Sequence, residues 1–395
     1  MLTGQRLGSG KWTLKALQDE AAKRSSAVAL ARAQYESARA SIVTAGTRPG
    51  PTVAFTPQVV TPFTSWIAGT YGVDFDWVFE TAGKRGHRLE AAHAAVRGAA
   101  AQVIDATWQA KTAVRKAYLE LHAADSKVKI LEEAIGRQEE LLKFLGTQMA
   151  AGAISRSSVL QPRLLLTQLR FQSTDSTKSA GLARASLAAA LGMGVTGLDG
   201  ADFSFTDFSK DIRPVTAPRH AALTRRADIL TSLANYAGAE AALHSEIAKQ
   251  YPDLHLNPGY SLDSGQNKWT LGSGLALPIL DRNQGPIAEA EAKRVEAGAQ
   301  FDAVQSKVLA ECDHAVAAIA GSRLKLAAAR NLIAGQSEQI AMEQRGVSAG
   351  ESDQLILLSA KVEQATARTY ELDAEIELQS AFAELEAATQ SPVMP

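Results

Sequence analysis

The sequence predicts a mainly α-helical chain with a small β part, built as one unit used twice: helix, β-hairpin, long helical hairpin. Three observations carry this. From Ile67 to Glu80 the residues alternate, with Ile67, Gly69, Tyr71, Val73, Phe75, Trp77 and Phe79 on one side and Thr70, Gly72, Asp74, Asp76 and Glu80 on the other. That period of 2 marks a strand with an apolar and a polar face. After the turn Thr81–Gly86 the period becomes a heptad, running through Leu89, His93, Val96, Ala100, Val103, Val114, Ala117, Leu121, Leu131 and Gln138 to Leu145. A Pro-free helix of about 60 residues would be roughly 90 Å long. The same order of elements then returns at an offset of about 198 to 199 residues, which points to duplication.

Taken in order, Trp12 to about Thr44 reads as helix and Ala45–Pro51 stops it. Residues 12–195 make the first repeat, with strands at about 52–60 and 67–80 and a helical hairpin over 86–191. Ala150–Ala153 breaks that hairpin, and Ser155–Ser158 offers caps for the returning helix. Residues 196–218 read as a linker. The second repeat, 219–390, has a helix over His220–Lys249, strands at about 254–262 and 268–278 around the turn Asp263–Asn267, and a helical hairpin over 286–388 broken at Ala349-Gly350. Its seam carries Val308, Cys312, Ala315, Ile319, Ser322 and Leu326.

Composition narrows the function. In 395 residues, 41 Lys and Arg balance 42 Asp and Glu, so no basic face for nucleic acid is expected. Aromatics are only 6% while Ala is abundant, which favours closely packed helices. Cys312 is the single cysteine, so there is no disulfide framework. No apolar run is long enough for a transmembrane helix. Met1 to Lys11 is polar and Gly-rich, without the apolar stretch of a signal peptide. The expectation is therefore either a start further upstream or a chain not exported as written.

Strands of about 10 residues with unlike faces suit a transmembrane barrel, with Trp66, Trp77, Trp269, Tyr71 and Tyr260 as interfacial aromatics. The other reading of the same periodicity is a soluble structural coiled coil whose hairpins serve assembly. Four strands cannot close a barrel, and open edges do not persist in lipid. If the strands span a membrane, several chains share one barrel.

The residues Thr13–Leu17, Ala45–Pro49, Glu80-Thr81-Ala82-Gly83-Lys84-Arg85, Arg226–Ile229 and Leu277–Asp281 resemble the TolC family of outer-membrane efflux channels. The Gly-Lys-Arg segment points to its heavy-metal, CzcC/CusC-like branch. The resemblance runs from about Trp12 to Gln390. It implies a homotrimer with a 12-stranded β-barrel, four strands per chain, continued by an α-helical coiled-coil tunnel in the periplasm of a Gram-negative cell. It also implies partners: a periplasmic adaptor, an inner-membrane RND transporter and outer-membrane lipid. It implies no catalysis and no cofactor, and a passive duct for heavy-metal cations or, in related channels, for organic compounds.

Site residues follow from the same resemblance. Ala151, Gly152, Ser157, Ala349, Gly350, Glu351 and Asp353 would form the periplasmic tip where the adaptor docks. The gate region would involve Asp353, Ile356 and Ser359; an apolar and a hydroxyl residue stand where relatives carry acids. Asp74 and Asp76 would face the barrel lumen. Gly83, Lys84, Arg85, Gly86 and Gly285 would mark the junction of barrel and tunnel. His122 with Asp125 has a metal-compatible i, i+3 spacing, but a solvated helix face is the favoured reading, and Cys312 reads as a small buried seam residue. No nucleophile–base pair or phosphate loop is present, and no Glu/His pairs repeat as a metal-dependent helical bundle would need. The sequence thus predicts no metal ligands.

Overall fold

The computed structural model describes residues 6–8, 10–58, 69–205, 208, 217–279 and 281–392. Its elements are β1 (Lys11–Trp12), α1 (Leu14–Arg24), α2 (Ser26–Gly46), β2 (Thr52–Gln58), β3 (Thr70–Phe79), α3 (Lys84–Ala150), α4 (Leu160–Ala190), β4 (Asp202–Phe203), α5 (Pro218–Arg225), α6 (Ala227–Ala248), β5 (Leu254–Asp263), β6 (Gln266–Leu275), α7 (Gln284–Ala349) and α8 (Gln354–Thr389). The expectations for 59–68, including Trp66 and Ile67, for Leu280, and for most of 206–216 lie outside the described residues. The chain is mainly helical with a small sheet, and the order helix, helix, strand, strand, long helix, helix occurs twice.

Two compact units form. One gathers Met1–Leu30, Ile104–Arg226 and Lys307–Pro395; the other gathers Ala31–Val103 and Ala227–Ser306. Each draws on both sequence repeats.

The second unit holds the sheet, in the order β2-β3-β5-β6 and antiparallel throughout. The two repeats therefore meet at its centre, where Val73 pairs with Tyr260 and Phe79 with Leu254. β6 starts earlier than expected, at Gln266, because Ser264 and Gly265 have φ of 49° and 83° and close a two-residue turn. Two positive φ values match the twist of a tight hairpin. β6 also ends at Leu275 rather than 278, opposite Leu254, the first residue of β5.

Two helices read as continuous are broken. Ser25 (ψ 122°) separates α1 from α2, and Arg226 (ψ 133°) separates α5 from α6. The breaks fall at matching places in the two repeats. Ser25 restarts the helix by accepting from the N–H of Val28 at 3.4 Å. Arg226 is nearly buried and donates to Glu311 at 2.6 Å and to the Ala388 carbonyl at 3.1 Å.

In the first unit Leu17, Ala21, Val114, Tyr118, Leu187, Leu191 and Leu198 form the main core. The Tyr118 hydroxyl donates to the carbonyls of Trp12 (3.1 Å) and Ser204 (2.8 Å), so the buried phenol is satisfied. Part of the segment expected as a linker is thus packed: β4 pairs parallel with β1, and Phe203, Phe205 and Phe208 surround Tyr118.

The second heptad seam is buried from Val308 to Leu326 as read. The first departs at its start, where His93 is exposed and Ala94, Gly98 and Ala101 face inward. A Cβ at Gly98 would meet Ala234, and one at Gly238 would meet Ala94, so α3 and α6 pack here through small residues. A straight helix drifts against a strict seven-residue repeat, which moves the contact stripe.

Candidate functional site

Three features need an account: the two faces of the sheet, the strand-to-helix junction and the helix tips.

The strand register puts most of the large apolar strand residues on one face; the half-buried Val78 is on the other. Val53 and Phe55 (β2), Phe75, Trp77 and Phe79 (β3), Leu254 and Leu262 (β5), and Trp269, Leu271 and Leu275 (β6) share it, and all are exposed. Trp269 is 81% and Leu271 75% accessible, far beyond what a soluble surface normally leaves to water. Trp77 stacks on Phe79 at 5.6 Å and Tyr260 lies 4.9 Å from Trp269.

The opposite face is mainly polar. The Asp74 carboxylate accepts from Thr56 at 3.3 Å and lies over Gly259, where a Cβ would come within 2.4 Å of it. Asp76 is half-buried and pairs with His255 Nδ1 at 3.0 Å. Asp263 accepts from Lys268 (2.5 Å) and Thr70 (3.0 Å). Asp74 and Asp76 thus share one face, as the alternation requires. His255, the partner of Asp76, comes from the other repeat.

At the junction the Glu80–Arg85 segment is an anchor. Ala82 and Gly83 have φ of 54° and 71°, turning the chain from strand into helix. Lys84 donates to Asp253 (2.7 Å) and to the Tyr251 carbonyl (2.8 Å). The Thr81 N–H donates to Asp253 at 2.9 Å and its hydroxyl to the Pro252 carbonyl at 2.7 Å. Burial opposes the Asp253 charge, but the hydrogen bonds from Lys84 and the Thr81 N–H outweigh it and hold the carboxyl below its ordinary value. Arg85 reaches the Gly46 carbonyl at 2.7 Å, and Arg88 reaches the Thr47 carbonyl at 3.2 Å while pairing with Glu80. These arginines satisfy carbonyls left free at the end of α2. Gly86 and Gly285 have open space around them. In the second repeat Asn283, at φ 59°, donates to the Glu246 carbonyl at 2.8 Å.

At the tips, Gly152 (φ 75°) and Gly350 (φ 77°) close their helices identically. Gly152 N–H donates to Met149 and Ala153 N–H to Gln148; Gly350 N–H donates to Val347 and Glu351 N–H to Gly346. Each is a Schellman motif, which needs a left-handed residue at that place. Ala151, Ser157, Ala349 and Glu351 are exposed at these turns. Asp353 caps α8, accepting from the Leu355 N–H at 2.9 Å. Ile356, on the first turn, is exposed, and Ser359 is half-buried. The serines expected to cap α4 bond to one another instead: Ser155 Oγ lies 2.7 Å from Ser157 Oγ and 3.0 Å from Ser158 Oγ. A 3-10 turn, Arg156–Val159, leads into α4. Behind both tips Leu141, Leu145, Val159 and Val362 form one apolar cluster.

With this geometry in view, the sequence profile described as "Outer membrane efflux protein" matches residues 17–193 and 219–390. The chain belongs to the outer membrane efflux protein family. The two matched stretches overlap the spans 12–195 and 219–390. Among solved structures, the chain is similar to the outer membrane protein VceC of Vibrio cholerae (20% identity, TM-score 0.78, 96% of each chain). It is also similar to the outer-membrane channel OprN (20%, 0.79, 100% of this chain and 95% of that one) and to CusC (17%, 0.80, 99% and 97%). At these identities the likeness speaks for the fold. No curated protein sequence matches the chain.

Other singled-out residues of this efflux-family chain are structural. His122 stacks against Phe205 (4.6 Å) and Phe208 (5.5 Å), and burial lowers its pKa. Cys312 is fully buried with Sγ 3.7 Å from the Ala388 carbonyl, and burial raises its pKa. One cluster was missed. His87 and Glu90 on α3 meet His244 on α6, with donor atoms all within 4.8 Å of one another.

Proposed function

We propose that this chain is the outer-membrane channel of a tripartite efflux pump, acting as a homotrimer and exporting heavy-metal cations. The carrying observation is the four-stranded sheet: one face carries the large exposed apolar side chains, the other is mainly polar, and among the described residues neither edge strand has an outer partner. Open edges and bare Trp and Leu side chains are costly in water. Three such sheets closed into a 12-stranded barrel would pair every edge and give the apolar face to lipid. Asp74 and Asp76 then line a polar lumen, and the helical hairpins wall the tunnel.

The tips around Gly152 and Gly350, with Ala151, Ser157, Ala349 and Glu351 exposed there, are the proposed docking surface for the periplasmic adaptor. The inner-membrane RND transporter supplies the energy. Asp353, Ile356 and Ser359 are the proposed gate region. The junction residues Gly83, Lys84, Arg85, Gly86 and Gly285 lie where strands hand over to helices, and their role is to brace the wall. Nothing in this role calls for catalysis; family and fold are those of non-enzymatic ducts.

The metal cargo rests on the Glu80–Arg85 segment and the acidic lumen face. The test is deletion of the gene and measurement of growth in zinc, cobalt, cadmium, copper and silver beside organic toxicants. Sensitivity to metals alone supports the metal reading. Sensitivity to organic compounds alone leaves a channel of the same kind with another cargo. A protein that is a soluble monomer without detergent overturns the channel itself.

A further inference from the structure

We infer that His87, Glu90 and His244 form a binding site for a zinc-class divalent cation at the strand-to-helix junction. The inference stands apart from the cargo, because it concerns a fixed ligand set rather than a passage. The three donor atoms lie within 4.8 Å of one another. His87 Nδ1 and Glu90 Oε2 are 3.2 Å apart, close to the roughly 3.4 Å that separates two donors on a tetrahedral cation with bonds of about 2.1 Å. The two imidazole centroids are 5.5 Å apart and tilted by 56°. His244 is exposed, so its ring closes the last part of the gap without disturbing a core.

The surroundings are arranged for this. The backbone carrying His87 and Glu90 is pinned on both sides by Lys84, Arg85 and Arg88. Those three cations are held by Asp253, the Gly46 carbonyl and Glu80 with the Thr47 carbonyl, so they are engaged away from Glu90. His244 lies near the C-terminal end of α6, whose dipole favours a cation, and His87 near the N-terminal end of α3, whose dipole opposes one. These dipole terms oppose one another and are of similar size, leaving the Glu90 charge as the net attraction.

Two imidazoles and one carboxylate with an open fourth position suit Zn²⁺, Co²⁺, Ni²⁺ or Cu²⁺. The absence of sulfur argues against Cu⁺ or Ag⁺, and the nitrogen donors against Mg²⁺ or Ca²⁺. A bound ion would tie the first repeat's α3 to the second repeat's α6.

The test is titration of the purified, full, untagged chain in detergent with Zn²⁺ by calorimetry and with Co²⁺ by visible absorption. One ion per chain is expected, with a tetrahedral cobalt spectrum, no competition by Mg²⁺, and a rise in melting temperature. Losing even a hydrogen bond that only orients a metal ligand typically costs about 10–100-fold in affinity, so His87→Ala, Glu90→Gln and His244→Ala should each weaken binding at least about 10-fold. His220→Ala, on an exposed histidine elsewhere, should not. The exposed His244→Ala chain should also keep the wild-type melting temperature in chelator, which reports intact folding. No stoichiometric uptake, or uptake undiminished in His244→Ala, overturns the site and leaves the channel reading untouched.

Discussion

Replacing Lys84 by Met keeps the stem and removes the ammonium that joins Asp253 and the Tyr251 carbonyl. Lys84 is 12% and Asp253 27% accessible at the side chain, so the pair is partly screened. A hydrogen bond involving a charged group is worth about 1.5–3 kcal/mol. Asp253 keeps the Thr81 N–H after the change, which places the loss near the lower end, about 1.5–2 kcal/mol. Asp253→Asn alone should cost a similar amount. Because both act through one contact, the double mutant should cost much less than the sum, with a coupling of about 1 kcal/mol or more. The readout is the urea midpoint of the purified protein in detergent at unchanged slope. Strict additivity would refute the view that Glu80–Arg85 is an anchor built on this pair. The pH dependence has a fixed sign. A carboxyl with a lowered folded pKa stabilises fully above its ordinary value of 3.8 and loses that contribution as pH falls through the lowered one. Asp253→Asn should flatten that acid limb.

Further outcomes follow from the same structure. Arg115→Ala removes the buried guanidinium that pairs with Glu386 and should cost about 1.5–3 kcal/mol, read in the urea midpoint, whereas Arg115→Met with Glu386→Leu should recover most of it. Gly350→Ala should cost about 1–2 kcal/mol by forcing a side chain into φ 77°, seen as faster amide exchange at the tip, and Gly152→Ala should match it. Leu271→Arg, on the apolar sheet face, should lower membrane-inserted protein at a cost of about 2–4 kcal/mol if it lies at the bilayer midplane. Cys312 should resist thiol reagents until the chain is unfolded, since burial both shields it and raises its pKa.

The strands were legible because their two faces differ chemically. A period-2 pattern of Trp, Phe and Leu against Asp, Thr and Gly specifies both the element and its register side. The tips were legible because Gly152 and Gly350 occupy the one backbone conformation that favours glycine. The helix breaks at Ser25 and Arg226 were not legible because the apolar periodicity continues across both, and the contacts that hold Arg226 come from Glu311 and Ala388. The linker hid its packing for a similar reason: Phe203 and Phe205 gain meaning only beside Tyr118. His87 and Glu90 stood at a visible i, i+3 spacing. Their third partner, His244, lies in the other repeat, and only the meeting of α3 with α6 brings it near.

Whether copies of this chain close a membrane barrel around a polar lumen is decided by single-channel recording of the purified protein in planar lipid bilayers. Detergent-solubilised oligomers should insert stepwise as cation-favouring pores, with the preference reduced when Asp74 and Asp76 are both changed to Asn. A monomer that stays in solution without detergent and never conducts would contradict the shared barrel.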